Sequence, residues 1–138
     1  MTIAIGADHA GFELKQYIKN SLEEKGYTVE DFGTYSTESV DYPDFAAATA
    51  RAVADGKAEM GILVCGSGIG VNITANKIQG IRSANCLTTE MAALSRQHNN
   101  ANVLTLGSRL VDEKTAEEIV TTFLTTPFEG GRHENRVN

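Results

Sequence analysis

At 138 residues, of which 41% are apolar, the chain has room for one domain with its own core and too little for two of ordinary size. With 12 basic against 18 acidic residues the net charge is −6, which argues against a broad surface for nucleic acid; any phosphate has to be met by a local cluster. The two cysteines form no CxxC and no zinc spacing, which fits a reduced cytoplasmic setting, and nothing resembles an export signal or a membrane-spanning run.

Short apolar runs alternate with helix-like segments five times along the chain. The first strand is expected over Ile3 to Gly6, followed by a loop through Gly11 and a helix over about 12–25, where Leu14, Ile18 and Leu22 recur every four residues and Gly26 is the stop. A second strand is expected near 28–32. Pro43 suits the first turn of a helix running to Ala54, with Phe45, Thr49, Ala52 and Val53 on one side and Gly56 after it. Met60 to Val64 reads as the third strand, 69–77 as a helix and Ile81 to Cys86 as the fourth strand. Thr88 or Thr89 is placed to cap a helix through Gln97 whose Met91, Leu94 and His98 share a face. Val103 to Leu106 follows as the fifth strand, and Asp112 caps an amphipathic helix carrying Ala116, Ile119, Val120, Phe123 and Leu124 up to Pro127.

This alternation predicts an α/β fold in which an open, mainly parallel sheet of five strands is covered by helices on both faces. One domain is expected over 1–138, with 128–138 as a tail that has no obvious place in the core. Ligands of such sheets collect at the carboxyl ends of the strands.

The third strand runs directly into Cys65-Gly-Ser-Gly-Ile-Gly70 and then a helix. A helix start offers unpaired N–H groups and a positive dipole end, which favour a thiolate and any oxyanion formed nearby. The glycines at 66, 68 and 70 do not fit a dinucleotide fingerprint, because the required sixth position is Val71 or Ile73. A P-loop is excluded as well, since the loop closes on Gly70-Val71-Asn72 with no lysine. A cysteine-phosphatase loop would end in an arginine where Val71 stands. What remains is a cysteine facing backbone donors, with three glycines in five residues allowing close approach to a ligand.

Other strand ends select further candidates. Asp8 and His9 follow the first strand, Asp41 and Tyr42 the second, and Gly107-Ser108-Arg109 the fifth. His98 and Asn99 end the fourth helix, which is the opposite end of the sheet if that helix runs antiparallel to the strands; the expectation is that they serve a partner's site. Arg132 and Arg136, four apart, share a side if helical; they either clamp phosphate or belong to a solvated terminus. Cys86 reads as a packing residue, and no spacing suggests a metal.

The combination Gly6-Ala-Asp-His-Ala-Gly-Phe12, Asp41-Tyr-Pro43, Cys65-Gly-Ser-Gly-Ile-Gly70, Ala75-Asn-Lys77, Gly80-Ile-Arg82, Ser95-Arg-Gln-His-Asn99, Asn102-Val-Leu104, Gly107-Ser-Arg109 and Glu129-Gly-Gly-Arg-His133 resembles the ribose-5-phosphate isomerase B family, which includes galactose-6-phosphate isomerase subunits. The resemblance spans nearly the whole chain. It implies a three-layer α/β/α Rossmann-like fold and an aldose-ketose isomerisation of a phosphorylated sugar through a cis-enediolate, without metal or organic cofactor. By resemblance Cys65 is the base, His98 opens the sugar ring, and Ser67, where many relatives carry threonine, passes a proton between O1 and O2. The same resemblance assigns the enediolate oxygen to loop N–H groups from Gly66, Gly68, Ile69 and Gly70, the sugar to Asp8 and Asn99, and the phosphate to His9, Arg109, Arg132 and Arg136, with Tyr42 also binding substrate. Some of these would cross a subunit interface, in a homodimer or a dimer of dimers.

One branch of the family places a glutamate base in the loop; Val71-Asn72 offers no acid, which matches the cysteine branch. The alternatives are an isomerase of a six-carbon phosphate such as galactose or allose 6-phosphate, a non-catalytic phosphosugar sensor, and a cysteine hydrolase.

Overall fold

The structure is a computed structural model and describes residues 1–33 and 42–137. Five strands lie in the order β2-β1-β3-β5-β4, all parallel: β1 Thr2–Ala7, β2 Thr28–Asp31, β3 Met60–Cys65, β4 Ser83–Asn85 and β5 Val103–Gly107. Between and after them run α1 Phe12–Glu24, α2 Tyr42–Ala54, α3 Ile69–Asn76, α4 Thr89–Asn99, α5 Glu113–Thr125 and α6 Glu134–Val137. Short 3-10 turns, His9–Gly11 and Gly131–His133, precede α1 and α6. The expected α/β alternation is thus realised as a Rossmann-like parallel sheet.

Side chains alternate across the strands, as a two-residue period requires. Ile3, Ile5, Ile62, Val64, Leu104 and Leu106 point into one core with α1, α4 and α5, while Ala4, Leu63, Cys65 and Val103 point into the other with α2 and α3. Both faces are covered, which is why these strands read as continuous apolar runs rather than as alternating ones. On the second face α2 approaches through Ala46, Thr49 and Ala50, all fully buried, and a Cβ at Gly61 would lie only 3.0 Å from Val53 Cγ2. Close approach of helix and sheet explains small residues at both surfaces.

The helix ends follow the sequence signals. Thr88 Oγ1 accepts from the Met91 N–H at 3.1 Å, and the Asp112 carboxylate from the Thr115 N–H at 2.7 Å. α1 stops at Gly26, whose φ of +93° suits glycine.

Four features differ from expectation. β4 is shorter than 81–86, because side-chain amides replace ladder partners at its start: Asn102 Oδ1 accepts from Arg82 N and Asn76 Oδ1 from Ser83 N, both at 2.8 Å. Lys15 is fully buried on α1, where its ammonium meets both carboxylate oxygens of Asp31 at 2.8–2.9 Å. The face of α4 carrying Met91 and Leu94 is about 40% exposed, and Ala92, Ser95 and Arg96 turn inward instead. The tail also has a place, since Arg82 Nη1 donates to Val137 O at 3.0 Å and Glu129 N to Gln97 O at 3.1 Å. Among the described residues no helix is long and apolar enough to cross a membrane.

Candidate active site

The strand order reverses direction between β1 and β3, and their carboxyl ends diverge there, the usual place for a ligand crevice. A cleft of about 450 Å³ opens at this point, lined by Asp8, His9, Cys65, Gly66, Ser67, Gly70, Arg109 and Leu110. It joins the loops after β1, β3 and β5, as expected from the sequence.

Cys65 ends β3 and is 7% exposed, with its sulfur facing the start of α3. The Gly68 N–H donates to Sγ at 3.1 Å, so the sulfur sits as an acceptor at a helix start. Gly68 holds φ +81°, and a Cβ there would collide with the Asn85 side chain and lie 2.9 Å from the Leu106 carbonyl carbon. Only glycine satisfies both demands. The Ile69 N–H donates to Ser67 Oγ at 3.2 Å, so two of the loop donors expected to meet an oxyanion bind within the loop in the chain by itself.

The loop is held from behind by β5 and β4. Ser108 N donates to Cys65 O at 2.8 Å and Arg109 N to Gly66 O at 3.0 Å, while Thr105 Oγ1 donates to Asn85 Oδ1 at 3.0 Å. Asn85 and Thr105 are supports that the sequence reading did not single out. Their partners lie 18–20 residues away, and no local spacing marks them.

Asp8 is nearly buried and caps the turn that follows it, accepting from the Gly11 N–H at 3.0 Å. His9 Nδ1 is buried without a hydrogen-bond partner among the described residues. Such an atom costs free energy unless a ligand or solvent meets it. Arg109 is exposed, its guanidinium lying over the Gly66 backbone at the cleft rim. Tyr42 begins α2, but its side chain lies outside the described part, as does Asp41.

The fold does not bring His98, Asn99, Arg132 or Arg136 to this cleft. α4 ends where β5 begins, at the amino edge of the sheet, and Arg82 Nε donates to Asn99 O at 2.7 Å just before β4. Strands of five and six residues separate the two ends by roughly 15–20 Å. At that far end His98 stacks on the buried His133, ring centroids 4.4 Å apart and planes 17° from parallel. Burial, then the neighbouring His98, Arg132 and Arg136, hold His133 below the ordinary histidine value, against the opposing pull of Glu129. Arg132 and Arg136 are exposed.

Arg96, two residues before His98 on α4, is buried and donates to Thr126 O, Asn100 Oδ1 and Ala101 O at 2.6–3.0 Å; burial lowers its pKa. It pins the end of α5 to the segment carrying His98. Cys86 is 1% exposed, and burial pushes its thiol up to about 11, in keeping with a packing role. Both cysteines are free.

Comparison with known proteins agrees with this fold. A family model described as Ribose/Galactose Isomerase matches residues 3–138. Ribose-5-phosphate isomerase B of Escherichia coli K12 is 50% identical over 135 residues, covering 98% of this chain and 91% of that protein. The solved ribose-5-phosphate isomerase B of Clostridium thermocellum superposes with a TM-score of 0.98 at 51% identity, covering 99% of this chain and 93% of the other. That of Mycoplasma genitalium, solved with bound ribulose-5-phosphate, has a TM-score of 0.95 at 43% identity, covering 99% and 91%. The chain therefore belongs to the ribose/galactose isomerase family, and it is an isomerase.

Proposed function

We propose that the chain, as a single domain over 1–138, interconverts ribose 5-phosphate and ribulose 5-phosphate with Cys65 as the base. The observation that carries this reading is the Cys65 sulfur, set against the Gly68 N–H in a cleft whose rim bears His9 and Arg109. The thiolate takes the proton from C2 of the open aldose, the electron pair moves into a C1–C2 double bond, and O1 becomes the enediolate oxygen near the loop donors. Returning the proton to C1 while O2 passes its own proton to O1 through Ser67 Oγ yields the ketose, so atoms and charge balance without a metal or organic cofactor. A placed base is worth about 10²–10⁴ in rate, and an oxyanion donor about 3 kcal/mol. His9 Nδ1, buried and unpartnered among the described residues, suits a phosphate oxygen, and Arg109 supplies charge beside it. Asp8 and Tyr42 hold the sugar.

The remaining groups come from a second copy of the chain. His98 opens the ring, Asn99 holds the sugar, and Arg132 and Arg136 close on the phosphate. Two observations support this arrangement: the separation of these residues from the cleft within one chain, and exposed apolar side chains at both ends of it. Ile69, Ile73 and Leu110 flank the cleft, and Leu87, Met91 and Leu94 line the path to His98; all are 40–56% exposed. A homodimer, or a pair of such dimers, buries both sets. The reduced thiol that the reaction needs fits the cytoplasm.

The test is turnover of ribose 5-phosphate and allose 6-phosphate in parallel, with chelator present. A higher kcat/KM for the five-carbon substrate is expected. Preference for the six-carbon sugar overturns the substrate assignment, and turnover of neither overturns the activity.

A further inference from the structure

Behind the cysteine loop, β4 and β5 present two polar side chains to each other. Asn85 lies opposite Thr105 in the parallel ladder, and Thr105 follows Val103 on the face covered by α3. Thr105 is fully buried, and its Oγ1 donates to Asn85 Oδ1 at 3.0 Å. A hydroxyl that donates to Oδ1 leaves the other end of the amide as the donor, so Asn85 Nδ2 is turned to Ser67 O, 3.4 Å away. Packing confines the same spot from two sides. A Cβ on Gly107 would lie 2.6 Å from Ser67 O, and a Cβ on Gly68 would overlap Asn85 Oδ1.

We propose that Asn85, locked by Thr105, is a positioning residue for the Cys65 sulfur. The link between them is one planar unit. Ser67 C=O and Gly68 N–H belong to the same peptide, and in a trans peptide they point to opposite sides. Turning Ser67 O back toward Asn85 therefore turns the Gly68 N–H forward, onto Cys65 Sγ at 3.1 Å. A hydrogen bond received by the C=O also polarises the unit and makes its N–H the stronger donor, which favours a thiolate over a thiol. The contact of 3.4 Å is longer than the usual range of about 2.7–3.2 Å, so it steers the peptide, while the wedge between Gly107 and Asn85 confines it. Asn85 does not line the cleft, and its effect reaches the reaction through that peptide. The consequence for turnover rests on Cys65 being the base; the orientation of the peptide does not.

The test compares the full chain with its Asn85→Leu, Thr105→Val and Thr105→Ser variants. In isotope-labelled protein the NMR signal of the Gly68 amide proton is expected to move upfield in Asn85→Leu and Thr105→Val, as in Cys65→Ala, and to stay near its normal place in Thr105→Ser, which keeps the hydroxyl. Turnover of ribose 5-phosphate should follow, with kcat down about three- to tenfold and KM nearly unchanged in Asn85→Leu and Thr105→Val, and kcat close to normal in Thr105→Ser. A Gly68 signal that moves in Cys65→Ala alone overturns the positioning role. So does a normal kcat in Asn85→Leu and Thr105→Val, or a loss in Thr105→Ser equal to that in Thr105→Val, which marks plain packing. The amide signal is read without substrate, so its failure is distinct from failure of the base, which shows as turnover by Cys65→Ala.

Discussion

Replacing Cys65 with alanine removes the sulfur that the Gly68 N–H faces and leaves the glycine loop, His9 and Arg109 in place. The expected result is a fall in kcat of about 10²–10⁴ with KM nearly unchanged, read from steady-state kinetics on ribose 5-phosphate. Normal turnover by Cys65→Ala would remove the proposed mechanism. Cys65 was legible in the sequence because everything that marks it is local: a strand end, three glycines and a helix start within six residues. Lys15, Arg96, Asn85 and Thr105 were not, since each owes its position to a partner supplied by another element. A buried lysine on the core face of α1 even contradicts the hydrophobic period, and the Asp31 carboxylate at the end of β2 explains it. Glu129 shows an intermediate case. Its i,i+4 relation to His133 is visible in the sequence, but the approach of both to His98 depends on how the tail folds back.

Between elements, α1 and α5 are joined by one carboxylate. Glu117 accepts from Tyr17 Oη at 2.9 Å, Ser21 Oγ at 3.1 Å and Lys25 Nζ at 3.3 Å. The bond from Tyr17, then those from Lys25 and Ser21, lower the Glu117 pKa, and the Thr115 N–H lowers that of the capping Asp112. A carboxylate with a lower pKa in the folded chain than in the unfolded one stabilises the fold above the ordinary carboxylate range and loses that contribution as pH falls. Urea unfolding is therefore expected to show stability nearly flat above about pH 5 and declining below it, with a shallower decline in Glu117→Gln. An unchanged slope in that variant removes the assignment. Element types and most boundaries could be read from period and punctuation, because each helix has one apolar stripe and each strand is bounded by turn residues. The order of the strands could not, since period fixes which face is buried and says nothing of which neighbour is paired.

At the scale of the molecule, the cleft at the carboxyl edge and the histidine at the amino edge give opposite predictions for one chain and for two. Cys65→Ala and His98→Gln chains should each be nearly inactive alone. If sites are shared, co-refolding equal amounts restores up to about a quarter of normal activity, because half of randomly formed dimers are mixed and each mixed dimer holds one intact site. Activity of the mixture that stays at the level of its components places all the groups in one chain and overturns the shared site.

The last strand in the sequence is not at the edge of the sheet: β5 lies between β3 and β4 and pairs with both, Val103 opposite Gly61 on one side and Ser83 on the other. During synthesis, the residues before Val103 can assemble the β2-β1-β3 half, but β4 has no neighbour and β3 carries an open edge of unpaired N–H and C=O groups. The thiol proposed as the base hangs from that open strand until the final one arrives. A nascent chain halted before β5 leaves the ribosome is then a sticky, alkylatable fragment, and the enzyme comes into being in one late step that shields the edge and seats the cysteine loop together.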